Sequence, residues 1–156
     1  MFISVSSGMR LSMLALVVGS LAAQVASWPD YRGGDRSGYV RKADVPLEWG
    51  EQNNVRWKRK VLGTGWSSLV VDDGIAWMTT STDSGKKLHV LAFDVATGKQ
   101  LFERVVFENA KPEPKNSLNS FASPSPTVEA GRVYVHFGSY GTACLDVETC
   151  ETIWER

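Results

Sequence analysis

The side chains that could carry out chemistry are few, and the two cysteines, Cys144 and Cys150, are the first to consider. Their spacing differs from the Cys-x-x-Cys pattern typical of zinc sites. With His136 they would supply three ligands in a short stretch, yet this pattern matches no zinc motif, and we expect no metal site. If the pair flanks a turn, a disulfide would require a distorted Cα spacing, so free thiols are favoured over a bridge.

The remaining candidates for catalysis do not belong to a recognisable catalytic motif. The sequence has neither Gly-x-Ser-x-Gly nor His-Glu-x-x-His, and no pair of carboxylates lies in a known catalytic pattern. His89 and His136 are single histidines in strand-like segments, and we expect each to be the partner of a neighbouring group rather than a catalyst. Asp94 and Asp146 are better interpreted as turn formers than as acids or bases. The sequence therefore predicts no catalytic residue.

The two aspartates belong to a repeat. The segment Leu91–Arg104 recurs as Ala143–Arg156, with a shared Asp-Val-x-Thr core and an aromatic residue, Phe102 or Trp154, near the end. Each copy is typical of a strand, an Asp-initiated turn and a second strand. The aromatic residues are expected to pack in a core or between sheets.

The second copy of the turn differs from the first at one position. Gly98 is suited to the left-handed conformation that closes such a turn, but Cys150 takes its place in the second copy. A residue other than glycine in that conformation costs roughly 1 kcal/mol. The second turn is therefore predicted to be looser or differently shaped.

The repeat extends upstream, because Ser68–Met78 aligns with Ser125–Val135. In both, two short apolar runs flank Asp-Gly or Ala-Gly, which is a strong signal for a β-hairpin. Each repeat then contains four strands, and four-stranded sheets repeated at this spacing are typical of β-propeller blades. We expect an all-β chain forming part of a propeller, with blades at residues 65–108 and 122–156 and a linker loop at 109–121.

The N-terminal third precedes these repeats. Residues 1–27 combine a basic start, an apolar run and small residues, and are predicted to be a secretory signal peptide; the alternative is an uncleaved anchor. Residues 28–53 are predicted to form a glycine- and proline-rich arm, and residues 54–61 a strand. Its four basic residues are expected to be solvated rather than to bind nucleic acid, since the formal net charge is zero; they are Arg56, Lys58, Arg59 and Lys60.

Taken together, these features resemble the PQQ-like β-propeller repeat proteins that planctomycete-type bacteria export. The resemblance rests on the Asp-x-x-Thr turns and on short motifs spread over the predicted mature chain; they are Trp28-Pro29 with Arg32-Gly33, Leu47-Glu48-Trp49, Asn54–Lys58 and Gly65–Ser68. It implies a propeller with more than two blades, in which residues 54–61 would close the last blade. We therefore expect the chain to be an N-terminal fragment of a longer protein, or the product of a truncated reading frame.

The resemblance leaves two functions open. The first is a non-catalytic scaffold or protein-binding module, periplasmic or extracellular, without a cofactor or a membrane span after signal cleavage. The alternative is a dehydrogenase that uses pyrroloquinoline quinone and calcium to oxidise alcohols or sugars, for which neither vicinal cysteines nor a calcium ligand set is found. We expect the first, with missing blades or self-association covering the open sheet faces. Trp66-Ser67-Ser68 and Phe121-Ala122-Ser123 would look toward the axial mouth of a closed propeller, although packing between blades is favoured for their aromatic rings.

Overall fold

The computed structural model describes residues 27–40 and 45–156, and in them it contains eight β-strands and two short 3-10 turns. The strands are β1 (Val70–Asp72), β2 (Ile75–Thr82), β3 (Lys87–Asp94), β4 (Gln100–Glu108), β5 (Thr127–Glu129), β6 (Arg132–His136), β7 (Thr142–Asp146) and β8 (Thr152–Glu155). The turns are Asp83–Gly85 and Gly138–Tyr140. None of these described elements is a helix long and apolar enough to cross a membrane. The predicted signal peptide lies outside the described residues, except for Ser27.

The strands form two four-stranded antiparallel sheets, each a simple meander in chain order. The first sheet contains β1 to β4 and the second contains β5 to β8. This confirms the all-β prediction and the two four-stranded units. The strands themselves begin somewhat later than the predicted units, at Val70 and Thr127.

The first hairpin of each sheet has the turn that its sequence predicts. Asp73 and Gly74 have φ angles of 44° and 76°, and Ala130 and Gly131 have φ angles of 49° and 75°. Positive φ at both central residues matches the right-handed twist of the paired strands. The two hairpins therefore begin both sheets with the same geometry.

The two sheets also share their register. Trp77, Ala92 and Phe102 are cross-strand neighbours in the first sheet. Tyr134, Cys144 and Trp154 occupy the equivalent places in the second sheet. In both sheets a register shift follows the middle residue, between Ala92 and Phe93 and between Cys144 and Leu145. The repeat thus extends from sequence to backbone pairing.

One hydrophobic core joins the two sheets. The first sheet contributes one of its faces, including the fully buried Trp77 and Val90, with Phe102 packed against them. The second sheet contributes its opposite set of side chains, including Val133 and Leu145. Because alternate residues of a strand point to opposite faces, each sheet uses a different face in this contact. The two sheets are therefore stacked like successive layers, with equivalent faces pointing in the same direction.

The N-terminal arm ties the inner strands together. Trp28 exchanges backbone hydrogen bonds with Val71 of β1, and the Pro29 carbonyl accepts the Val128 N–H of β5 at 2.8 Å. The Trp28 ring lies against Gly33, where a Cβ atom would come within 2.9 Å of it. Residues 41–44 of this arm lie outside the described residues.

Residues 54–61, where a strand is predicted, form none with the described residues. This segment joins neither sheet and makes no ladder with any described residue. Its main anchor is instead a side chain: the Trp57 indole N–H donates to the Val95 carbonyl at 2.8 Å. A strand needs a neighbouring backbone to pair with, and the alternating pattern does not show whether one is present. Its four basic residues are exposed, as expected. The proposed closure of a last blade stays a prediction.

The prediction of a looser or differently shaped second Asp turn is wrong. Cys150 adopts the left-handed conformation with φ of 59°, close to the 69° of Gly98. Cys150 N–H donates to Asp146 O at 2.9 Å, as Gly98 N–H does to Asp94 O at 2.8 Å. The side-chain hydrogen bonds of Asp146 and the burial of Cys150 hold this turn in shape despite the strain of a non-glycine residue.

Gly98 is expected to contribute to stability for a second reason besides its left-handed backbone conformation. A Cβ atom at this position would lie 2.5 Å from the Trp57 ring, whereas one at Gly74, with φ of 76°, would meet nothing within 4 Å. Gly74→Ala should cost only the backbone strain, about 1–2 kcal/mol. Gly98→Ala should cost about 1–3 kcal/mol more, because the ring must move. Urea unfolding followed by tryptophan fluorescence measures both, and equal losses would contradict the role of the Trp57 contact.

Candidate functional site

The carboxylates of the repeat act in turns, as the sequence predicts. Asp94 accepts the Thr97 N–H at 2.7 Å and also the Thr97 hydroxyl. Asp146 accepts the backbone N–H groups of Glu148 and Thr149, both at 2.9 Å. The side-chain and backbone hydrogen bonds from Thr97 lower the pKa of Asp94, and those from the Thr149 and Glu148 backbone lower the pKa of Asp146. Both groups are therefore held as turn-forming anions.

Both histidines bind a neighbouring threonine, which confirms the prediction. His89 Nε2 lies 2.9 Å from Thr82 Oγ1, and His136 Nδ1 lies 2.8 Å from Thr142 Oγ1. His89 is buried, and this burial lowers its pKa. A neutral imidazole that is buried in this way supports the sheet rather than exchanging protons with a substrate.

The two cysteines are separate buried thiols. Neither forms a disulfide in the structure. Burial raises the pKa of the Cys150 thiol to about 11, although the nearby Arg104 guanidinium acts in the opposite direction. Since the thiolate is the reactive form of cysteine, Cys150 is poorly suited to be a nucleophile at neutral pH.

No grouping of metal ligands is found in residues 27–40 and 45–156: no three His, Cys, Asp or Glu side chains there could hold one ion together. The alternative, a dehydrogenase with calcium and pyrroloquinoline quinone, stays a prediction, and no catalytic step is derived for it.

One face of the second sheet, which we call the outer face, is partly exposed. It carries the cross-strand residues Tyr134, Cys144 and Trp154, of which Cys144 is fully buried. The Tyr134 and Trp154 rings are 6.2 Å apart at an angle of 50°, and Trp154 keeps 37% of its surface exposed. Tyr134 was not singled out in the sequence, although its alignment with Trp77 could have indicated it.

In the first sheet the equivalent face is covered, and its aromatic residues are packed in the core. Trp77 and Phe102, at the positions equivalent to Tyr134 and Trp154, stack with ring centroids 6.0 Å apart. Trp77 is fully buried beneath the second sheet, with Phe102 packed against the same core. The predicted packing role is thus confirmed for Phe102. Trp154 has the same place in its own sheet but no sheet above it among the described residues.

The aromatic residues before the inner strands have different roles from each other. Phe121 is partly buried and packs against the common core, which confirms the packing interpretation. Trp66 is 58% exposed, so its ring does not pack between the two described sheets. Its backbone instead joins the two sheets, since the Trp66 N–H donates to the Ala122 carbonyl at 2.9 Å. The strand that follows positions the backbone of Trp66 but leaves its ring in solvent.

No protein-family model matches the chain, and no curated protein matches it. The resemblance to PQQ-like repeats therefore rests on the motifs of the chain itself.

The Asp turns should make stability depend on acid pH. Because folding lowers the pKa of Asp94 and Asp146, their contribution is complete above the unfolded-state pKa of about 3.9. It is lost as the pH falls from there through the folded-state values. The variant Asp94→Asn/Asp146→Asn should therefore unfold with a smaller pH dependence between about pH 2 and 5, measured by denaturant titration at each pH.

A second variant tests the cause of this dependence. Thr97→Val removes one hydroxyl donor to Asp94 and keeps its carboxylate. It should reduce the acid dependence by part of the amount that the double variant does. An acid dependence that neither variant changes would contradict the assignment to these turns.

Proposed function

We propose that the chain forms consecutive blades of an exported β-propeller of the PQQ-like repeat type, and that it serves as a non-catalytic scaffold or protein-binding module. The observation that carries this proposal is the equivalence of the two sheets. They agree in strand order, in hairpin turns, in the Asp turn and in the place of the register shift. Repetition of one four-stranded unit with stacked faces is the principle of a propeller.

The outer face of the second sheet is the proposed binding surface. Its residues Tyr134, Cys144 and Trp154 are equivalent to Trp77, Ala92 and Phe102, which the second sheet covers. A surface built from the same register favours an occupant of the same kind. In this proposal the outer face packs against another sheet of the repeat, either in a longer product or in a second copy of the chain.

A non-catalytic role agrees with the chemistry of the described residues. The repeat carboxylates are bound to turn N–H groups, and the histidines are bound to threonines. The Cys150 thiol is buried, and its pKa is about 11. These potential acids, bases and nucleophiles are each engaged in the fold. Fold resemblance by itself does not bring the dehydrogenase chemistry with it.

Self-association of the chain tests the proposed surface. The protein, expressed without its predicted signal peptide, should associate reversibly as its concentration rises in sedimentation experiments. Trp154→Ser should shift this association to at least several-fold higher concentration, because it removes a large aromatic contact. Oxidation of alcohols or sugars that depends on pyrroloquinoline quinone and calcium would contradict the non-catalytic part of the proposal.

Trp66 supplies the matched control. It is more exposed than Trp154, at 58% against 37%, but it is not part of the outer face. If exposed tryptophan merely makes the protein adhesive, Trp66→Ser should have the larger effect. If the outer face is the binding surface, Trp66→Ser should leave association unchanged. Equal effects of both variants would overturn the proposed surface, and a protein that stays monomeric at high concentration would exclude a second copy as its occupant.

A further inference from the structure

A cavity lies where the linker between the two sheets passes the 3-10 turn Gly138–Tyr140. It has a volume of about 280 Å³ and is open to solvent. Side chains that line it include Glu113, Lys115, Phe121, Ser139 and Tyr140. This volume is just below the roughly 300–1,000 Å³ of typical ligand pockets, so the cavity has room for a small ligand group. Its lining residues are separate from those of the outer face.

The Phe121 ring is held firmly at this cavity. Gly85, which is buried with φ of 90°, lies so close to the ring that a Cβ atom there would come within 2.6 Å of it. Gly85 does not line the cavity, whereas Phe121 does. The contact with Gly85 therefore fixes the ring while leaving it accessible from the cavity. A fixed aromatic ring is a preorganised surface for a ligand.

A cation of the chain itself lies over this ring. The Lys115 Nζ atom is 5.7 Å from the Phe121 centroid. The Tyr140 ring is 6.5 Å from Phe121 at an angle of 52°. A cation is attracted to an aromatic face when it lies within about 6 Å of the ring centroid. The two centroids are close enough for one cation to interact with both rings.

A carboxylate adds the negative charge that would attract a cation to the site. Glu113 lines the same cavity, and its backbone N–H donates to the Tyr140 hydroxyl at 2.8 Å. This hydrogen bond fixes the linker against the aromatic wall. The Glu113 carboxylate accepts only a long hydrogen bond, 3.4 Å from Ser139 Oγ, among the described residues. It therefore retains capacity to attract a positive charge.

The polar groups on the other side of the cavity are already engaged with one another. Ser120 Oγ lies 3.0 Å from Ser123 Oγ and also accepts the Ala122 N–H at 3.1 Å. The Ser123 hydroxyl in turn binds the Asn119 side-chain oxygen. A sugar or an anion needs free hydrogen-bond donors and acceptors, and this network offers few. A cation without hydrogen-bonding groups needs none.

We propose that this cavity is a binding site for a small quaternary ammonium group, and that Lys115 is a built-in competitor for it. Phe121 and Tyr140 supply the aromatic faces, and Glu113 supplies the negative charge. Lys115 covers the Phe121 face in the unliganded protein and swings into solvent when a ligand binds. A quaternary ammonium fits better than a second primary ammonium because it does not require hydrogen-bond acceptors.

Titration with tetramethylammonium chloride tests this site, with sodium chloride at equal ionic strength as the reference. Amide chemical shifts in ¹H–¹⁵N NMR spectra should change in a saturable way at Gly85, Ser139 and Tyr140. Lys115→Ala should bind the probe roughly two- to fivefold more tightly, since a cation–π contact at an exposed site has about that effect. Lys115 is exposed, so this substitution should leave the fold intact.

Three further variants separate this site from general charge effects. Lys111→Ala removes an equal charge from the same linker, but Lys111 does not line the cavity, and this variant should bind like the unchanged protein. Glu113→Gln and Phe121→Leu should weaken binding. Equal affinities of Lys115→Ala and Lys111→Ala would overturn the proposal. So would tighter or equal binding of n-butylammonium, since a primary ammonium would then be the preferred class.

Discussion

The stacking of the first sheet on the second is the contact on which the rest of the structure depends. Trp77 and Val90 from the first sheet share a core with Val133 and Leu145 from the second. Neither sheet could bury these side chains alone, because a meander of four strands is one layer thick. Replacing a buried aromatic such as Trp77 by alanine costs about 3–5 kcal/mol, which is a large part of the stability of a small domain.

This stacking needs each sheet to present a reproducible face, and the turns ensure that it does. The Asp turn fixes where the third strand ends and the fourth begins, in both copies. A slip of one residue would exchange the two faces of a strand. The hydrogen bonds of Asp94 and Asp146 therefore protect the core indirectly, by fixing the register of β3 with β4 and of β7 with β8. The same register places Tyr134 beside Trp154 on the outer face.

The contact of Trp57 with the first Asp turn shows how such a turn receives an aromatic ring. The ring lies on Gly98, and the indole N–H reaches the Val95 carbonyl. At the second turn Cys150 replaces the glycine and directs its own side chain into the core. One backbone conformation thus serves two packing arrangements, which explains how the repeat tolerates this substitution. The two turns have equivalent backbones, but the Trp57 ring packs on the first, whereas the side chain of Cys150 enters the core at the second.

The sequence by itself determined the local features. The hairpin turns at Asp73-Gly74 and Ala130-Gly131, the first Asp turn and the division into two four-stranded units all follow from local sequence patterns. The structural roles of both histidines were also predictable, because a lone polar residue in a strand usually binds its neighbour.

Only the tertiary structure decided which faces are covered. It placed Phe102 in the core while leaving the equivalent Trp154 partly exposed. It held residues 54–61 by a tryptophan side chain instead of a strand ladder, kept Cys150 in a left-handed conformation, and gathered Glu113, Phe121 and Tyr140 around one cavity. The physical reason is that these outcomes depend on contacts between segments distant in the chain, and the local pattern of a strand is the same whether or not another layer lies above it.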